Sequence, residues 1–99
     1  MHTDLIIVSE YCQKTNLELS FFDLLEENDL ITIYIENGER YFPSSQLYNL
    51  EKYTRLYYDL SINVEGIDVI CNLQDRIQAL EEEIASLREK LSLYGTDIF

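Results

Sequence analysis

The residue types that do most protein chemistry at neutral pH are scarce in this chain. It has one histidine, His2, and two cysteines, Cys12 and Cys71, far apart in sequence. A zinc site needs about four nitrogen or thiolate ligands at close spacing, and these three residues cannot supply it. A nucleophilic cysteine needs a base beside it, and neither thiol has one nearby in sequence. Carboxylates are plentiful, with 19 Asp and Glu. Glu26 and Glu27 are adjacent, so on a helix their side chains diverge by about 100° and form no proton-sharing dyad. No glycine-rich loop could cradle a phosphate. These features argue against an enzyme and against any bound metal or cofactor.

What carboxylates in this number can do is attract cations. The stretch "NLELSFFDLLEENDL", Asn16 to Leu30, has an apolar side and an acidic side and lacks any lysine or arginine. Across the chain 19 acids oppose 7 bases, a formal charge of −12. In the first fifty residues nine acids face two bases, Lys14 and Arg40. That sign is wrong for nucleic acid, where lysine and arginine supply affinity by releasing counterions. It also disfavours an anionic membrane surface. It favours a basic partner, through steering and complementarity.

Such side chains need a folded support. At 99 residues, 46% of them apolar, with eight Tyr and four Phe, the chain is one folded domain, or one small domain plus an appendage. Its modest core makes dimerisation useful. The run "LIIV" (Leu5 to Val8) is too short for a signal segment or a membrane span. Two isolated thiols without a signal peptide fit a reducing cytoplasm, with both acting as apolar fillers.

"DLIIV" reads as a strand or an extended lead-in. Ser9 can cap a short helix starting at Glu10 and breaking near Asn16. Ser20, or alternatively Asn16, can cap a second helix whose stripe is Phe21, Phe22, Leu24 and Leu25. In "ITIYIENGERYF", alternating Ile31, Ile33 and Ile35 run into Asn37-Gly38, which suits a type I′ turn. A two-residue loop pairs Ile35 with Arg40, Tyr34 with Tyr41 and Ile33 with Phe42. It sets Glu36 against Glu39, a like-charge pair costing at most about 1 kcal/mol. Pro43 ends the hairpin, and Ser44 or Ser45 caps a third helix. That helix spaces Leu47, Leu50, Tyr53, Tyr57 and Leu60 along one face. The chain turns at "SINVEG", where Asn63 can cap the last helix.

The last helix has the strongest period. Ile70, Ile77, Ile84 and Leu91 fall at heptad position a, and Leu73, Leu80, Leu87 and Tyr94 at d. A seam this long exceeds what the rest of the chain could cover, so it predicts a homodimer. Parallel pairing would match Arg76 with Glu81 and Glu83 with Arg88. Antiparallel registers can match Arg76 with Glu83, or Glu81 with Arg88. The seam residues leave the orientation open.

The order helix, helix, hairpin wing, helix, long helix resembles the MerR-type winged helix. The matching stretches are "IIVSEYCQKTNL", "ERYFPSSQLYNLEKYTRLYYDL" and the terminal seam. The resemblance implies a mainly α fold with a small β-hairpin wing. Residues 1–65 would form the winged-helix head and residues 66–99 the coiled-coil dimerisation helix. A DNA-binding member usually carries arginine and paired tyrosines in the second helix, where this chain has Phe21, Phe22, Asp23 and Leu24. With "DLSINVEGIDVICNLQDRI", this looks like the chaperone-modulator family, the CbpM-like branch. Glu65 departs from it, standing where proline is common.

That resemblance implies an acidic modulator, an inhibitor, of a DnaJ-like co-chaperone. It would bind the J-domain of a CbpA-type protein and compete with the DnaK-type chaperone for that domain's basic helix. The expected contact residues are Glu18, Asp23, Glu26, Glu27, Asp29 and Tyr41. The wing (Glu36, Glu39) or the aromatic helix (Tyr53, Tyr57, Tyr58) could serve instead. The dimer would be joined through Ile70, Leu73, Ile77, Leu80, Ile84, Leu87 and Leu91. The resemblance implies an antiparallel pair. The alternative is a MerR-like DNA-binding transcriptional regulator, which needs a basic patch that the sequence withholds.

Overall fold

The computed structural model describes residues 4–95. His2 and the end of the last region, 96–99, lie outside them. The chain divides into two compact units, Met1–Asp68 and Val69–Phe99. It is mainly helical, with one small antiparallel sheet and a long C-terminal helix.

The first unit begins with strand β1 (Leu5–Ile7), helix α1 (Val8–Thr15) and helix α2 (Leu19–Glu27). The wing follows as β2 (Tyr34–Glu36) and β3 (Glu39–Pro43), and then comes helix α3 (Leu47–Thr54). The long helix α4 (Val64–Leu93) starts in this unit. The sheet has three strands in the order β1-β3-β2, so the lead-in is a true strand and closes the far side of the wing. Tyr34 pairs with Tyr41, Ile35 with Arg40 and Glu36 with Glu39, as the two-residue turn demands. Asn37 and Gly38 take φ of 52° and 77°, the positive values that a type I′ turn needs. The ladder stops at Tyr34, so the expected Ile33–Phe42 pair is not part of it; Phe42 faces Ile6 of β1.

Three expected caps are corrected. α1 starts at Val8 with Ile7 before it, and the Ser9 hydroxyl donates instead to Glu39 Oε1 at 3.2 Å. α2 starts at Leu19, so Ser20 lies in its first turn and Glu18 holds the cap position. Ser44 and Ser45 fall in a 3₁₀ turn, Ser44–Gln46, ahead of α3. By contrast Asn63 caps α4 as expected, accepting the Gly66 N–H on Oδ1 at 2.8 Å.

The core of the first unit is apolar and aromatic. Phe22, Phe42, Leu25, Leu50 and Ile67 have essentially no exposed surface, and each such burial contributes about 1.5–3 kcal/mol. The α3 stripe begins as read, with Leu50 and Tyr53 buried. It then slips, because Arg55–Asp59 wind into a π-turn, with the Leu60 N–H donating to the Arg55 carbonyl at 3.2 Å. The wider turn carries Leu60 off the buried face, so it stands exposed. Cys12 is a buried filler, and burial pushes its thiol up from the ordinary value, with Arg40 lowering it and Asp23 raising it.

The second unit is the remainder of α4. The whole helix has 30 residues, about 45 Å at about 1.5 Å per residue. Leu73, Ile77, Leu80, Ile84 and Leu87 are between 47% and 57% exposed. Among the described residues, no helix is long and apolar enough to cross a membrane.

Candidate functional site

The site is built on α2. Its rotation is fixed by rings: Phe22 lies against Tyr11 (centroids 6.1 Å apart) and Phe42 (5.6 Å). Phe21 lies against Tyr57 (4.6 Å) and Tyr58 (5.3 Å). Burying Phe21, Phe22 and Leu25 turns the other side of the helix to solvent. That side carries Leu19, Asp23, Glu26 and Glu27, all exposed.

The start of α2 is held across the unit. The Glu18 N–H donates to the Tyr58 hydroxyl at 3.3 Å, and the Ser20 hydroxyl donates to Glu18 Oε2 at 3.2 Å. A carboxylate here suits the positive end of the helix dipole. At the other end the arrangement reverses. Glu26 and Glu27 stand in the last turn, no basic residue accompanies them, and Asp29 follows with φ of 57°. The Asn28 side chain caps the Leu24 carbonyl at 2.9 Å, and the Leu30 N–H caps that of Leu25 at 2.9 Å. The carbonyls are therefore served, but the carboxylates oppose the dipole, each costing about 0.3–1 kcal/mol.

Asp23 differs from its neighbours. Arg40 of β3 reaches it with Nη1 at 2.6 Å from Oδ1, the two side chains being 29% and 53% exposed. This pairing turns the wing's only cation down onto α2. It also neutralises one of the expected contact charges. Sequence spacing does not show it, because the partners are 17 positions apart.

The expected contact residues therefore form two sets. Glu18, Asp23, Glu26, Glu27 and Asp29 line α2 and its ends. Tyr41 lies elsewhere: strand alternation puts Arg40 and Phe42 toward α2 and Tyr41 on the opposite face of the sheet. There it is half-buried between Ile7 and Tyr34 in the strand register. Of the other candidate face, Tyr53 is buried, Tyr57 and Tyr58 pack against Phe21, and Tyr58 also holds the Glu18 N–H. Leu19 and Ile35 are exposed apolar side chains outside the expected contact set.

Among the described residues, no group of His, Cys, Asp or Glu could hold a metal ion. A shallow hollow lined by Tyr11, Thr15, Leu17, Glu51, Thr54 and Arg55 is open to solvent. Tyr11 there is a poorer acid than usual, raised by burial first and then by the charges of Glu51 and Cys12.

No curated protein and no solved structure matches the chain. A family model described as MerR HTH family regulatory protein matches residues 6–89, which include both helices of the helix-turn-helix, the wing and most of the long helix. The chain therefore belongs to the MerR HTH family of regulatory proteins.

Proposed function

We propose that the protein is an acidic modulator of a DnaJ-like co-chaperone, acting in a reducing cytoplasm. Its α2 surface binds the J-domain and competes with the DnaK-type chaperone for the same basic helix. The observation that carries this reading is the pair of carboxylates in the last turn of α2. Glu26 and Glu27 destabilise the helix that bears them, and no cation in that turn relieves them. A basic partner would convert that cost into binding energy. The exposed seam of α4 supports a homodimer, since five large apolar side chains half-exposed on one stripe are a sticky surface.

A second reading keeps one observation on its side. The family is one of helix-turn-helix regulators, so a DNA-binding role is the alternative. Against it stand the acidic α2 and the engagement of Arg40 with Asp23.

Calorimetric titration of the protein into an isolated J-domain, at low and at moderate salt, tests the first reading. Saturable binding that weakens with salt is expected. Binding indifferent to salt would keep the partner but move the contact to apolar surface. No J-domain binding, with duplex DNA retained in the same buffer, would replace the first reading by the second.

A further inference from the structure

The wing has an open side that the function proposed above does not use. β2 is the outer strand of the sheet, with β3 on its inner side only. In a two-residue hairpin the residues flanking the turn exchange hydrogen bonds, and the pairs then alternate. Glu36–Glu39 and Tyr34–Tyr41 are thus the bonded pairs, and Ile35 opposite Arg40 is not. Ile35 therefore points its N–H and C=O away from the sheet. Its side chain is also 71% exposed, and Tyr34 beside it is 52% exposed.

Outer strands are templates for another strand, and they are ordinarily guarded by shortness, charge, proline or a bulge. β2 is short, three residues from Tyr34 to Glu36, and has no lysine, proline or bulge; its one charge, Glu36, repels an acidic strand and admits a cationic one. Its charges specify what could pair with it. Glu36 lies directly across from Glu39. The Ser9 hydroxyl bonds Glu39 but brings no charge. The nearby Arg40 is committed to Asp23 at 2.6 Å. Two carboxylates at the strand end thus share one sheet face with Tyr34, while Ile35 lies on the other face.

We propose that the outer edge of β2 is a docking site for an extended segment of a partner protein in which cationic and apolar residues alternate. The segment pairs its backbone with Ile35. Its apolar side chains cover Ile35, and its cations lie over Tyr34 and beside Glu36 and Glu39. Ile35 shares its sheet face with Arg40, which bonds Asp23, so the site borders the α2 surface, but it does not depend on what α2 binds.

The test uses the full chain and a capped peptide of alternating lysine and valine, followed by NMR and amide hydrogen exchange. The peptide is expected to slow exchange of the Ile35 amide and to shift wing resonances. The same peptide methylated on its backbone nitrogens should bind about tenfold more weakly or worse, since it cannot pair. Ile35→Pro removes only an outward N–H, which an edge position tolerates, and should abolish the protection. Ile35→Lys keeps the backbone and should do the same by repelling the peptide. Unshifted Gly38 and Arg40 amides in each variant would report an intact wing. Glu36→Gln with Glu39→Gln should weaken binding and flatten its salt dependence. Equal binding of the methylated peptide, shifts confined to other surfaces, or no binding at all would overturn the proposal. Protection that rises with protein concentration and without peptide would assign the edge to a second copy, and would also overturn it.

Discussion

Helices α2 and α4 are both amphipathic, and they solve opposite problems. α2 buries its apolar side under rings from α1, β3 and the π-turn, so what it presents is charge. Along α4 the stripe from Leu73 to Leu87 stands about half-exposed. The same alternation of apolar and polar residues thus yields a charged surface in one case and a sticky one in the other. Periodicity identifies the apolar side of a helix. Only the packing around it decides which side is left for a partner.

The largest effect should come from uncovering α2. Phe22→Ala removes a ring with no exposed surface and should cost about 3–5 kcal/mol, a large share of a small domain's stability. Urea unfolding followed by far-UV circular dichroism measures it. A loss under about 1 kcal/mol would mean that α2 is not pinned by that ring. Next is the converse change on α4. Leu80→Asn with Ile84→Asn should convert a dimer to a monomer in sedimentation, without unfolding the head. A dimer that survives both substitutions would refute the seam assignment.

A smaller effect sharpens the contrast in charge. Glu26→Gln with Glu27→Gln should stabilise the protein by about 0.3–1 kcal/mol per site by relieving the dipole, while weakening J-domain binding. If the variant gains stability and keeps its affinity, the acidic end of α2 is not the contact. The smallest effect is a pH response. Cys12 and Tyr11 hold their protons more tightly when folded. Their contribution is therefore full below the unfolded pKa and is lost as pH rises through the folded one, from about pH 8.5 upward. The urea midpoint should fall across that range. It should fall less in Cys12→Ala, and an identical fall would remove Cys12 from the account.

The features that the sequence made legible are those with a local cause. Asn37-Gly38 dictated the turn and with it the register from Tyr34 to Glu39. Asn63 capped α4 because its partner N–H is three residues away. The misread features have distant causes. Ser9 is a plausible cap by spacing, but Glu39, 30 positions on, takes its hydroxyl. Leu60 fits the α3 stripe at about 3.6 residues per turn, and the π-turn at Arg55–Asp59 breaks that count. Within the candidate site the exposed carboxylates were readable from composition and period. The Asp23–Arg40 pair and the placement of Tyr41 on the other sheet face were not, since both depend on how the wing lies over α2.

The start of α4 links two substitutions. A β-carbon on Gly66 would stand 2.9 Å from Asn63 Oδ1 and 2.9 Å from Ile62 Cγ2. That is the same oxygen that caps the helix by accepting the Gly66 N–H. Alanine inside a helix ordinarily gains about 0.5–1 kcal/mol over glycine, but here the gain would displace the cap. The two positions are therefore epistatic. Gly66→Ala is harmful while Asn63 is present, and a smaller residue at 63 relieves only one of the two close approaches, since Ile62 Cγ2 remains at 2.9 Å. Alanine at position 66 is therefore tied to changes at both Asn63 and Ile62.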